Sequence, residues 1–224
     1  MKTLIYGMQS SGASLFTYFM GQNPNAVVVI DLFNKHLAPF LDFEEAILKC
    51  VVTNKYSWNQ HYESFKPDNT ILFVRNPFDN YTSLKRKAWR CENGRMHDKF
   101  PILEQEFIER DKFDAVVHYE DLVIRPEQVV EDLAGKGFHV DSSFLEFKRD
   151  IQQMAVFNHA NCPDYCTNGS RYYQRSKYGK GKLHIRSGPL LKRKYVRKNI
   201  EDADKEMVQG WCPTVCNFYG ERSW

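Results

Sequence analysis

Nothing in this chain of 224 residues approaches the roughly 20 consecutive apolar side chains that a bilayer-spanning helix needs, so membrane insertion is not expected. The first residues also lack the charged segment, apolar run and small-residue cleavage site of a secretory signal; they open on a strand-like KTLIYG, and a cytoplasmic location is expected. Excess charge is lacking too. A net charge of +3 and a pI near 8.4 are too weak to imply nucleic acid as a partner. No internal repeat and no linker divides the chain, and its composition, 42% hydrophobic and 26% charged, is that of one ordinary globular domain spanning residues 1–224.

One absence is local. Between Tyr165 and Ile200 there is no Asp or Glu, while Arg171, Lys182, Arg186, Lys192 and seven further Lys or Arg side chains crowd the same stretch. Either an anionic ligand meets this segment or it is a solvated basic loop. Residues 168–188, rich in Gly, Tyr and Lys, are the best candidate for a lid or substrate loop.

The six cysteines include two matched spacings, Cys162 with Cys166 in CPDYC and Cys212 with Cys216 in CPTVC. Free thiols, a disulfide, or four thiolates on one zinc all remain open, although a three-residue gap is looser than the usual zinc-ribbon spacing.

Short apolar runs alternate with amphipathic stretches. Residues 2–6, 26–31 (AVVVID), 43–52 (ending ILKCVV), 70–74 (TILFV) and 115–119 (AVVHY) read as strands. Helices are expected from Ser14 to Met20, from about Asn80 to Arg90, from Pro126 to Lys136, and from Pro189 to Gly210. Strands without alternation, separated by helices, predict an α/β fold with a central parallel sheet covered on both faces, three layers in all. Ligands in such folds bind at the carboxyl ends of the strands.

After the first strand stands GMQSSGASLF. Gly7 and Gly12 are separated by four residues and Ser14 follows, the outline of a phosphate-binding loop, but position 13 is Ala13 where an NTPase carries the lysine of its β/γ-phosphate clamp. Backbone N–H groups of residues 7–14, the hydroxyls of Ser11 and Ser14, and a helix N-terminus could still cradle one phosphate. Farther on, TILFVRNPFDNYTSL puts Arg75 at a strand end and Ser83 eight residues later, a spacing that could bring both onto one anion.

These two motifs together resemble the sulfotransferases that use 3′-phosphoadenosine 5′-phosphosulfate (PAPS). The resemblance implies a P-loop-NTPase-like sulfotransferase fold, in which Gln9, Ser10, Ser11, Gly12, Ala13 and Ser14 hold the 5′-phosphosulfate and Arg75 and Ser83 the 3′-phosphate. AVVHYEDLVIRPEQVVEDLAGKGF is similar to the family's strand-YEDL-Pro-helix segment and casts Tyr119 near the adenine. GKGKLHIRSGPL is similar in placement to the family's basic loop over the 3′-phosphate, making Lys182, Arg186, Ser187 and Gly188 candidates. PAPS would be the donor, 3′-phosphoadenosine 5′-phosphate (PAP) the product, and no metal would be required.

Two positions depart from the family's pattern. Its members usually carry Lys or Arg immediately before the loop serine, to stabilise the bridging oxygen as sulfate leaves, and this chain has Ser10 there. Another cation, Lys49 or a lid lysine, must take that charge, or catalysis is slow or absent. ILKCVV aligns Lys49 with a family lysine but puts Val51 where the family's histidine stands. The catalytic candidates are therefore Ser10, Lys49 and, as general base, His36 in DLFNKH, with Asp31 and His61 in reserve. His36 could equally be a surface histidine and Lys49 a salt-bridged strand residue.

Sulfuryl transfer, like phosphoryl transfer, is an in-line displacement dominated by positioning and charge. The acceptor would be a hydroxyl of a small molecule or glycan ahead of a protein. The rival readings are a P-loop kinase or NTPase, and a non-catalytic nucleotide- or polyanion-binding protein.

Overall fold

The computed structural model describes residues 1–23, 26–32, 37–38, 40–41, 43–53, 55–86, 96–146, 155–157, 195 and 197–222. Six strands, β1 (Lys2–Gly7), β2 (Val27–Leu32), β3 (Ala46–Val51), β4 (Asn69–Val74), β5 (Ala115–His118) and β6 (Ala155–Phe157), form one sheet in the order β5-β4-β1-β3-β2-β6. Every pairing is parallel. β1 lies between β3 and β4, with Ile5 opposite Lys49 on one side and Ile71 on the other.

The strands are apolar on both faces because both faces are buried. Leu4, Tyr6, Leu48, Cys50, Leu72 and Val74 enter one core with α2 (Trp58–Phe65), α3 (Pro77–Lys85), α4 (Met96–Ile108), α7 (Asp202–Trp211) and α8 (Pro213–Gly220). Their neighbours Ile5, Ile47, Ile71 and Phe73 enter a second core with α1 (Ala13–Met20) and α6 (Pro126–Gly135). The fold is thus α/β with a packed core on each face of a parallel sheet, compatible with three layers. α5 (Tyr119–Ile124) follows β5 directly.

Local chemistry sets the helix ends. Ser57 and Gln60 form a capping box on α2. Asn76 accepts from the N–H groups of Phe78 and Asp79, and Pro77 takes the first helical position, so α3 begins three residues earlier than the apolar pattern alone predicts. The helix expected from Pro189 to Gly210 is shorter: residues 197–200 are not helical, and α7 starts at Asp202. Pro213 then opens α8, a helix the sequence reading did not anticipate. Residues 189–194 lie outside the described residues.

The chain leaves β1 through α1 toward β2, and leaves β3 through α2 to β4 on β1's other flank. The strand order therefore reverses about β1, the place where open α/β sheets form a crevice at their carboxyl ends. Among the described residues no helix is long and apolar enough to cross a membrane.

Candidate anion-binding site

The loop from Met8 to Gly12 sits at that reversal. Gly7 packs closely, since a Cβ there would lie 3.0 Å from the Phe73 carbonyl oxygen and 3.1 Å from the Ala13 Cβ. Ser10 and Gly12 take left-handed backbone conformations, with φ of 62° and 100°. Such a conformation costs a non-glycine residue on the order of 1–2 kcal/mol, and strain of this kind gathers at functional sites. Ser11 closes the turn: its N–H and Oγ both donate to the Met8 carbonyl, at 3.3 and 2.7 Å, and its Oγ accepts from the Ala13 N–H. Gly12 caps α1 without a side-chain bond, and the first turn of α1 holds no acidic residue. The positive end of the helix thus faces the loop. Phe16 stacks on Phe73 of β4 at 5.0 Å and holds α1 against the sheet.

Cations converge on this loop although none belongs to it. Lys49, buried in β3, donates from Nζ to Ser14 Oγ at 2.9 Å. Arg75, at the end of β4, donates from Nη1 to the Ser10 carbonyl at 3.1 Å. Lys99 of α4 donates from Nζ to Gln9 Oε1 at 2.9 Å, and Asn80 of α3 donates to the Gln9 carbonyl at 2.8 Å. The Arg75 guanidinium lies 4.4 Å from the centroid of the Tyr119 ring. That ring also covers Gly12, where an added Cβ would come within 2.5 Å of Tyr119 Cδ2. Ala13 is buried, and Lys49 brings a cation beside the first turn of α1.

Ser83 has different company from Arg75. Its Oγ donates to the Asp79 carbonyl at 2.9 Å and receives Lys198 Nζ. The buried Asp79 carboxylate accepts from the Tyr195 hydroxyl and, at 2.8 Å, from the Lys198 N–H. Among the described residues Arg75 and Ser83 share no hydrogen-bond partner. Glu120, the first of the two acidic residues of YEDL, is fully buried and accepts from the Asn76 N–H at 3.0 Å, and burial pushes its carboxyl up.

His61 does not suit a general base. Its Nδ1 accepts from the Ala38 N–H at 3.1 Å, which leaves the ring proton on Nε2 and no lone pair to offer, and burial pushes it down to about 4. Asp31 is the penultimate residue of β2. His36, Lys182, Arg186, Ser187, Gly188 and the stretch 168–188 lie outside the described residues, as do Cys162 and Cys166. Cys212 and Cys216 are free and buried with their sulfurs 3.8 Å apart. Among the described residues no group of His, Cys, Asp or Glu could hold a metal ion.

Sequence reasoning missed Asn80, Lys99, Glu120 and Lys198. Asn80 stands one helical turn before Ser83, which could have drawn attention to it. Nothing in the sequence ties Lys99 to Gln9, 90 residues away. A groove of about 520 Å³ lies along β5 between His118, Arg125, Lys136 and Arg222 and includes no loop residue. In comparison with known proteins, the chain matches no family model and no curated protein.

Proposed function

We propose that the protein is a PAPS-dependent sulfotransferase that moves a sulfuryl group to a hydroxyl of a small molecule or glycan. The observation that carries this reading is the meeting of a lysine-free phosphate-type loop with Arg75 at the reversal point of a parallel sheet. The loop N–H groups and the α1 N-terminus would hold the 5′-phosphosulfate. Lys49, already on Ser14, would supply charge that position 13 lacks. Arg75 would turn toward the 3′-phosphate, which Ser83 and its neighbour Lys198 would also meet. Tyr119 would line the nucleotide side. Lys182, Arg186, Ser187 and Gly188 would close over the 3′-phosphate, and His36 would take the acceptor's proton, on the resemblance alone. The corresponding fold is the P-loop-like sulfotransferase fold.

A kinase or NTPase is disfavoured by Ala13. The uncharged Ser10 favours one further reading, a protein that binds the nucleotide without turning it over. Calorimetry of the purified protein with PAP, ADP and ATP tests the donor site. A micromolar affinity for PAP, roughly 8 kcal/mol, with a clear preference over ADP and ATP is expected. Preference for ATP, or no binding, rejects the sulfotransferase reading, and release of PAP from bound PAPS separates enzyme from binder.

A further inference from the structure

Resting on that reading, we infer that Lys99 supplies the positive charge for the 5′-phosphate end of the donor, standing in for a cation that the loop itself does not carry. In the transfer, the acceptor oxygen forms a bond to sulfur as the bond from sulfur to the bridging phosphate oxygen breaks. The electron pair stays on that oxygen, the acceptor's proton passes to a base, and PAP leaves with one more negative charge on its 5′-phosphate. A cation near that oxygen lowers the cost of the charge as it develops.

Residues 7–14, GMQSSGAS, contain no charged side chain, so this charge has to come from elsewhere in the fold. Lys49 serves the far end of the loop at Ser14. Arg75 is engaged with the Ser10 carbonyl and the Tyr119 face. Lys99 alone among these three reaches the arm that precedes Ser10, through Gln9.

Its placement is held from both sides. Asn80 fixes the Gln9 backbone, and Phe100, the next residue of α4, stacks on Trp211 of α7 at 5.9 Å. Lysines on exposed helix faces ordinarily extend their ammonium into water. Lys99 is only 7% exposed and turns its ammonium to Gln9 of the loop, where a charge acts through a medium less polarisable than water.

The test uses the full chain as wild type, Lys99→Met and Lys99→Arg, with PAP and adenosine 3′-phosphate as ligands and a thermal melt of each protein. Lys99→Met keeps the apolar stem and removes the charge. It is expected to weaken PAP binding about 10- to 100-fold, the range for a lost charge-assisted bond, while leaving adenosine 3′-phosphate affinity within about twofold. Lys99→Arg is expected to restore most of the loss. Unchanged PAP affinity in Lys99→Met overturns the inference, and so does an equal loss for both ligands or a failure of Arg to rescue, since those mark a merely structural lysine. If wild-type protein binds neither ligand, the sulfotransferase reading itself fails and the assignment of Lys99 falls with it.

Discussion

Gly12 shows how narrowly single residues are constrained at the loop. Its φ of 100° suits glycine, and the Tyr119 ring fills the space where any Cβ would go. Gly12→Ala therefore meets two separate penalties, a backbone cost of about 1 kcal/mol and a collision that moves the ring. Together they are expected to destabilise the protein by about 2–3 kcal/mol in denaturant titration. In a Tyr119→Ala background the collision is gone, so the same substitution should cost only about 1 kcal/mol. Equal costs in both backgrounds would mean that the ring does not press on the loop. Gly12 and the missing lysine at position 13 were legible in the sequence because they belong to one contiguous turn. Lys49 and Arg75 were marked by the resemblance, but Asn80 and Lys99 were not, since they come from helices far along the chain and meet the loop only through packing.

At the scale of elements, α3 is the hub. Its Asn76 cap is bonded to Glu120 at the start of α5, its Asn80 reaches the loop, and its Asp79 holds Tyr195 and Lys198. Asp79 is 1% exposed, so removing it leaves the Tyr195 hydroxyl and the Lys198 N–H without their acceptor. Asp79→Ala is expected to lower stability by roughly 2–4 kcal/mol, read from thermal or denaturant unfolding. A loss below about 0.5 kcal/mol would show that this segment is not fastened through α3. The sequence marked the strand-helix succession of RNPFDNY through Pro77 and the apolar run before it. It gave no sign that Asp79 is an anchor, because the bonds it makes span 116 and 119 residues.

For the whole molecule, buried histidines tie folding to pH. His61 is held neutral, from an ordinary 6.5 down to about 4, and burial with the nearby Arg222 and Arg110 pushes His118 down to about 3. As pH falls from 7 to 5 the unfolded imidazoles take up protons that the folded ones refuse, so stability falls with pH. Glu120, whose carboxyl is raised by burial, acts in the opposite sense near the acid end of this range. His61→Asn keeps an acceptor for the Ala38 N–H but cannot titrate, which isolates the His61 share. Wild type is expected to lose about 2 kcal/mol more than His61→Asn between pH 7 and pH 5. Parallel stability profiles for the two proteins would show that His61 is not desolvated.

What the amino-acid sequence determined by itself was local. Doubly apolar runs separated by helical stretches specified a parallel sheet, because strands buried on both faces lose their alternation. GMQSSGAS specified a tight glycine turn before a helix, because few other residues accept that backbone. Two matters were decided only in three dimensions. The strand order about β1 brings the ends of β1, β3 and β4 to one crevice, and no periodicity encodes which strand lies beside which. The charge of the candidate site is likewise a tertiary property. The loop carries none of its own; Lys49 and Arg75 reach it because β3 and β4 flank β1, and Lys99 reaches it because helix packing on one face of the sheet sets α4 beside it.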